Sequence, residues 1–186
     1  MRYLKNIWAE RVPNYDEGYQ KIFEKLANKG NEGGDREEIA IETGKVFATQ
    51  YELYIYAFFI GLYMDEKQES TTKTNFGHKI SEWGKKSRKS GREPFIEIQD
   101  FMFIALITKS EIDFIELERT MDETEIKKSV TQLIDLMESY ANGGLQLIQD
   151  KLEMNDSYFI STMEAPMNFL LKQSKPINSS VQYNII

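Results

Sequence analysis

Cysteine is absent from the 186-residue chain. Disulfides, thiolate zinc sites, iron–sulfur clusters and a cysteine nucleophile are therefore excluded. The single histidine, His78, leaves no imidazole pair for a histidine-rich metal site. His78 could act as a general base, but no partner motif accompanies it, so we interpret it as an ordinary loop residue. Only four prolines are present, which argues against long irregular stretches.

Long hydrophobic runs are also missing. The longest, Tyr54–Met64, has 11 residues. That length is too short to span a bilayer and fits a buried helix. The N-terminus carries Arg2 and Lys5, but no apolar segment of signal-peptide type follows them. We therefore expect a cytoplasmic protein with no membrane contact, and we expect no cofactor.

What the chain does contain is enough apolar material for a core. Hydrophobic residues make up 41% of the sequence, with 11 Phe and 10 Tyr. This length favours one domain. We predict a helical domain over residues 1–173, with a basic loop at 77–94 inside it, and a C-terminal tail over 174–186.

Charge is distributed unevenly along the chain. Residues 79–92, called the basic segment below, carry a net charge of +5 in a chain of net charge -7. The remainder of the chain is therefore at -12. The cations of the segment are Lys79, Lys85, Lys86, Arg88, Lys89 and Arg92. Such a cluster on an acidic protein indicates a surface directed at a polyanion or an acidic partner.

Two interpretations of the basic segment remain open. Its cations could hold phosphates while Trp83 and Phe95 offer a stacking surface. Alternatively, it is a solvated loop whose charge only offsets the acidic body. Gly77, Gly84 and Gly91 would each weaken a helix by about 1 kcal/mol, so a groove-reading helix is not expected.

The apolar pattern predicts an all-α, single-domain bundle of about six helices. Thr49–Met64 is apolar in nearly every direction and is predicted to be central, with Gly61 marking the close approach of another helix. Phe95–Thr108, beginning near Pro94, and Asp122–Ala141 should pack against it. The second of these carries an apolar stripe formed by Ile126, Val130, Leu133, Met137 and Tyr140. Asn142-Gly143-Gly144 is predicted to end that helix as a C-cap, before a new stripe that starts at Leu145.

Weaker signals predict the other elements. Met1–Pro13 suits a short helix or an arm packed on the body. Asn14 or Asp16 could cap a helix that runs to about Asn28. A final helix over Phe159–Leu171 should be interrupted by Pro166.

An acidic cluster precedes and opens the helix at Asp122. Its members are Asp113, Glu116, Glu118, Asp122, Glu123 and Glu125. Carboxylates can bind a divalent metal, but no EF-hand spacing organises these. A helix N-terminus attracts carboxylates by itself, so the structural interpretation is favoured and no metal is expected.

Two segments carry a family resemblance. Lys45–Lys67 (KVFATQYELYIYAFFIGLYMDEK) and Ser139–Leu152 (SYANGGLQLIQDKL) together resemble a small family encoded beside bacterial DNA phosphorothioation (Dnd-type) defence genes. The family is similar in having an aromatic helix, a basic stretch, an apolar helix and a closing E-x-Y-A-N-G-G-L turn. The matching residues here are Tyr56, Ala57, Gly61, Glu138, Tyr140, Ala141, Asn142, Gly143, Gly144 and Leu145. The resemblance implies a helical accessory protein without an assigned catalytic role.

Three functions follow from these observations. The first is a non-catalytic interaction protein that contacts an acidic protein or DNA through the basic segment. The second is a scaffold or oligomerisation module with no nucleic-acid role. The third, ranked below both, is an enzyme with a carboxylate site at Asp113 and Glu116. We expect a protein partner, while nucleic-acid contact and homo-oligomer formation stay open.

Overall fold

The computed structural model describes residues 2–27, 45–85, 94–162 and 164–172. This part of the chain forms seven α-helices and one two-stranded sheet, which confirms the all-α prediction. The helices are α1 (Arg2–Ala9), α2 (Gln20–Leu26), α3 (Gln50–Met64), α4 (Ile98–Lys109), α5 (Phe114–Thr120), α6 (Glu123–Met154) and α7 (Ala165–Lys172). The strands β1 (Tyr15–Asp16) and β2 (Lys73–Thr74) pair antiparallel. Short 3-10 helices lie at Glu17–Tyr19, Ile80–Glu82 and Tyr158–Ile160.

Helix α3 lies in the core, as its apolar sequence predicts. It begins after Thr49, whose hydroxyl accepts a hydrogen bond from the backbone N–H of Glu52. Gly61 is packed so closely on α6 that a Cβ there would lie 1.9 Å from the carbonyl oxygen of Tyr140. The predicted close approach at Gly61 is therefore confirmed.

Helix α6 is longer than predicted. It runs without a break for 32 residues, so the expected C-cap at Asn142-Gly143-Gly144 is wrong. A cap of that type needs a residue with positive φ, and neither Gly143 nor Gly144 has one. All three residues are buried in the middle of the helix, where Gly144 meets the backbone of Ala57. The glycines serve close packing between helices rather than a turn, and both predicted stripes belong to one helix.

Two other helix limits differ from the predictions. Helix α4 begins at Ile98 rather than near Pro94, because Ile98 and Gln99 donate to carbonyls only three residues back and so form a turn first. Pro166 does not interrupt a helix. It lies in the first turn of α7, where its missing N–H leaves no hydrogen bond unmade.

The N-terminal elements are attached to α6. Helix α1 buries Leu4 and Trp8, and the Trp8 ring lies 5.4 Å from that of Phe103 in α4. Asp16 caps the turn before α2 by accepting from the N–H of Gly18, as predicted. The buried face of that region consists of Tyr19, Ile22, Phe23 and Leu26. Helix α6 contacts the four helices α1 to α4 and the strand β1. It therefore shares the central position with α3.

Candidate functional site

The structure describes two of the six cations of the basic segment. Lys86, Arg88, Lys89 and Arg92 lie outside the described residues. Lys79 is within 2.7 Å of Glu10 Oε2. This hydrogen bond raises the pKa of Lys79 and lowers the pKa of Glu10. The charge of Lys79 is thus balanced within the protein, whereas Lys85 is exposed and begins the rest of the segment.

The described residues on the two sides of positions 86–93 meet at one point. The backbone N–H of Phe95 donates to the carbonyl oxygen of Gly84 at 2.8 Å. Gly84 has a φ of 73°, and a Cβ there would lie 2.1 Å from the Phe95 carbonyl oxygen. Only glycine combines that φ with so close an approach. Gly84 and Phe95 therefore join the two ends of the stretch that contains most of the positive charge.

Buried side chains hold this junction to the core. Ile80 and Trp83 are both almost completely buried. The Gln99 side chain, also buried, donates to the Trp83 carbonyl oxygen at 2.7 Å and so ties the start of α4 to the segment. Tyr51 stacks on the Trp83 ring at 6.1 Å. The prediction that Trp83 offers a stacking surface to nucleic acid is wrong, because the core already occupies its faces.

An apolar surface borders the same junction. Phe95 and Ile96 are each 52% exposed, and Phe101 and Ile104 on α4 are 54% and 57% exposed. The rings of Phe95 and Phe101 lie 6.1 Å apart. We call these four residues the apolar platform. It includes Phe95, which was predicted to be available for contact and is exposed.

Four members of the acidic cluster, Asp113, Glu116, Asp122 and Glu125, line a groove of about 800 Å³ between α5 and the N-terminal half of α6. Its carboxylates already have structural roles. Asp113 accepts from the N–H groups of Ile115 and Glu116, and Asp122 accepts from those of Thr124 and Glu125.

Glu116 forms a two-point ion pair with Arg119, with distances of 2.8 and 2.9 Å. Within the described ranges, no three His, Asp or Glu side chains come close enough to hold a metal ion. Helix capping by two carboxylates and ion pairs on the surface give five of the six members a structural role, namely Asp113, Glu116, Asp122, Glu123 and Glu125. His78 is exposed and lies 3.2 Å from Glu82 on the surface.

The residues of the E-x-Y-A-N-G-G-L match lie on one stretch of α6 and bind distant parts of the chain. Glu138 is buried and accepts hydrogen bonds from the backbone and side-chain nitrogens of Asn14 at 2.8 and 2.9 Å. Lys73 Nζ donates to its other oxygen at 2.8 Å. Glu138 thereby holds the segment before β1 and the strand β2 on the same helix.

Tyr140 and Asn142 extend this stretch. The Tyr140 hydroxyl donates to Asp65 at 2.9 Å, and burial together with this bond raises the pKa of Tyr140 to about 12. Asn142 Oδ1 accepts from the N–H of Asp16 at 3.0 Å. Lys109 binds the same carboxylate as Tyr140, at 3.1 Å. The matched residues therefore organise the fold, a role that the C-cap interpretation of the sequence missed.

The Asp16 carboxylate accepts the hydrogen bonds that link β1 to the residues beside β2. Burial by itself would raise the pKa of Asp16, but hydrogen bonds from the N–H groups of Gly18, Thr72 and Thr71 lower it to about 2. A carboxylate that accepts several backbone N–H groups is stabilised in its charged form. The region is thus a structural junction.

Comparison of the chain with protein-family models, curated proteins and solved structures gives no match. The resemblance to proteins of DNA phosphorothioation loci therefore stays a prediction. Among residues 2–27, 45–85, 94–162 and 164–172, no helix combines the length and apolarity needed to cross a membrane.

Proposed function

We propose that this protein is a non-catalytic interaction protein that binds an anionic partner through the basic segment. The observation that carries the proposal is the junction of Gly84 with Phe95, where a 2.8 Å hydrogen bond joins the ends of the charged stretch. The charged stretch therefore begins and ends at one defined place on the folded domain. Lys85, which is exposed, marks where that charge begins.

Electrostatics support a partner of negative charge. The basic segment carries +5 while the rest of the chain carries -12, so an anionic partner is attracted to one place and repelled elsewhere. Such an arrangement sets orientation and association rate. On the family resemblance alone, we propose a bacterial DNA-modification or phage-defence system as the biological setting.

The test measures binding by fluorescence anisotropy at several salt concentrations. The probes are a fluorescein-labelled duplex DNA and a labelled polyglutamate peptide. We expect at least one probe to bind, with an affinity that falls as salt is raised. The variant Lys85→Ala/Lys86→Ala should bind more weakly.

A matched control is available on α6. Lys127 and Lys128 also form a dilysine, and their side chains are 75% and 64% exposed. Lys127→Ala/Lys128→Ala changes the net charge equally and should leave binding almost unchanged. Equal losses of affinity in both variants would show that binding depends only on net charge. That result would contradict the proposal. Self-association that is insensitive to salt, with no binding of either probe, would favour the scaffold function instead.

A further inference from the structure

We infer that the groove between α5 and α6 binds an extended segment of another protein that carries arginine or lysine side chains. This inference goes beyond the proposed function, because it concerns a second surface and a segment of the opposite charge. The groove has a volume of about 800 Å³, which lies within the range of ligand sites in proteins. Its walls are α5, the connection from α4 to α5, and the N-terminal half of α6.

The charges that line the groove favour a cationic occupant. Five carboxylates and three lysines line it, which gives the lining a net charge of -2. These residues are Glu111, Asp113, Glu116, Asp122, Glu125, Lys67, Lys109 and Lys128. Such a lining attracts a segment with positive side chains and repels an acidic one.

The lysines of the lining are mostly engaged already. Lys109 pairs with Asp65 at 3.1 Å, and Lys128 pairs with Glu125 at 3.5 Å. Lys67 lies over an aromatic ring of α6, 5.0 Å from the ring centroid. Two of the three lysines are therefore neutralised by carboxylates within the protein, and an anionic ligand would find little positive charge in the groove.

The carboxylates, in contrast, keep open oxygens. Asp113 caps α5 through Oδ1 alone, which accepts two backbone N–H groups, and Asp122 caps α6 in the same way. No described residue donates a hydrogen bond to Oδ2 of either side chain, or to the carboxylate of Glu111. A guanidinium or ammonium group forms its strongest hydrogen bonds with such oxygens.

A buried hydroxyl also borders the groove. Ser129 lines it and is only 5% exposed. Across the described ranges, no group forms a hydrogen bond with the Ser129 hydroxyl, whereas the hydroxyls of Thr131 and Ser139 bond to carbonyls of the same helix. Buried polar side chains are normally hydrogen-bonded. A hydroxyl is both a donor and an acceptor, so it suits the C=O and N–H groups of a peptide backbone.

The groove is long enough for a peptide segment. Its lining on α6 runs from Asp122 to Leu136. At about 1.5 Å per residue, that stretch of helix is about 21 Å long. An extended chain spans about 3.3–3.6 Å per residue, so about six residues match this length. Ile112, Leu117 and Leu136 add apolar contacts for the aliphatic parts of arginine or lysine side chains.

Other occupants fit the groove less well. A divalent metal ion needs several oxygen ligands at once, and no three carboxylates of the described chain are grouped closely enough to supply them. Duplex DNA would bring its phosphates against five carboxylates. A free polyamine would pair with the carboxylates but has no acceptor for the hydroxyl proton of Ser129.

The test measures binding of two capped hexapeptides to the full chain by isothermal titration calorimetry at low salt. One peptide alternates arginine with serine, and its counterpart has glutamate in place of arginine. We expect the arginine peptide to bind and the glutamate peptide not to bind. Asp113→Asn/Asp122→Asn separates binding from structure, because asparagine caps a helix about as well as aspartate. This variant should keep its circular dichroism spectrum and lose affinity for the arginine peptide by roughly fivefold.

A second variant and a matched control sharpen the result. Ser129→Ala should also lower the affinity by roughly fivefold, through the loss of one hydrogen bond. Glu153→Gln/Glu164→Gln changes the net charge as much as the asparagine variant does, at two exposed residues that do not line the groove. It should leave the affinity unchanged. An equal loss in this control, or an unchanged affinity in both groove variants, would overturn the inference.

The remaining outcomes identify a different occupant or none. If the arginine peptide does not bind, or the glutamate peptide binds equally, the inference is overturned. Binding of spermine without binding of the arginine peptide would make a polyamine the occupant. Self-association in sedimentation that is lost in Asp113→Asn/Asp122→Asn would make a second copy of this chain the occupant.

The proposed function is tested separately. Lys85→Ala/Lys86→Ala should bind the arginine peptide at least as well as the native chain, because these lysines do not line the groove. Failure of the arginine peptide to bind would leave the proposed function standing. Failure of both anionic probes to bind would in turn leave this inference standing.

Discussion

Replacement of Gly144 by alanine tests the packing of α3 against α6. A Cβ at position 144 would lie 1.9 Å from the carbonyl oxygen of Ala57, where ordinary contacts begin at 3.4 Å. The two helices would have to separate locally by about 1.5 Å, the difference between those distances. A gap of even about 0.5–1 Å forfeits a quarter to a half of the dispersion energy of each affected contact. Because the obstacle is helix backbone, no side chain can rotate away to relieve it.

The expected magnitude is the difference between two opposing effects. Overpacking of a core costs about 1–3 kcal/mol when neighbours can adjust, and a backbone clash should cost somewhat more, about 3–4 kcal/mol. Alanine offsets about 1 kcal/mol of this cost because its helix propensity is higher than that of glycine. We therefore expect Gly144→Ala to lower the free energy of unfolding by about 2–3 kcal/mol. This loss of stability is measured by urea unfolding, followed by circular dichroism and by the fluorescence of the buried Trp8 and Trp83.

Two further glycines serve as controls. A Cβ at Gly143 would lie 2.1 Å from the carbonyl oxygen of Glu66, which follows α3 and is not helical, so Gly143→Ala should cost less. Gly77 has a φ of 74° and no atom within 4 Å of the added Cβ. Gly77→Ala reports the strain of positive φ alone, about 1 kcal/mol. A Gly144→Ala variant as stable as the native chain, or more stable, would refute the close packing of α3 on α6.

Three more predictions concern the junctions around α6. Glu138→Ala should lower the free energy of unfolding by about 2 kcal/mol in urea, since it leaves the half-buried nitrogens of Asn14 without their acceptor and Lys73 with only its 3.7 Å contact to Asp135. Asp16 has a pKa lowered to about 2, so the stability that it contributes is full above pH 4 and is lost as the pH falls toward 2. Asp16→Asn should remove about 1 kcal/mol of that pH dependence after allowance for solvent screening, as shown by acid unfolding curves of the two proteins. Met121 ends α5 with a φ of 50°. Met121→Gly should therefore raise the melting temperature by relieving about 0.5–1 kcal/mol of strain, and an unchanged or lower value in calorimetry would contradict this.

The sequence predicted local structure well where a single segment contains the whole signal. The predicted start of α6 at Asp122 is confirmed, because the side-chain oxygen and the amides it binds are only a few residues apart. The apolar stripes also repeat within one helix, so their buried faces could be assigned without knowing their partners.

The candidate site was only partly predictable. The cations of the basic segment are visible in the sequence, but the ion pair of Lys79 with Glu10 joins residues 69 positions apart. The exposure of Phe101 and Ile104 could not be predicted either, since large apolar residues of α4 lie on its exposed side as well as on its buried side. Nothing in such a pattern says which face the core will cover.

By itself, the sequence determined the all-α class, the start of α6 at Asp122, the apolar stripe that follows it and the uneven charge, because these depend on neighbours along the chain. The tertiary structure alone decided that Gly143 and Gly144 serve helix packing and not a turn, that Trp83 is buried, and that Glu138 binds Asn14 from 124 residues away. Those outcomes depend on which segments meet in space. A glycine looks the same in sequence whether it ends a helix or lets another backbone pass, and only the approaching chain distinguishes the two.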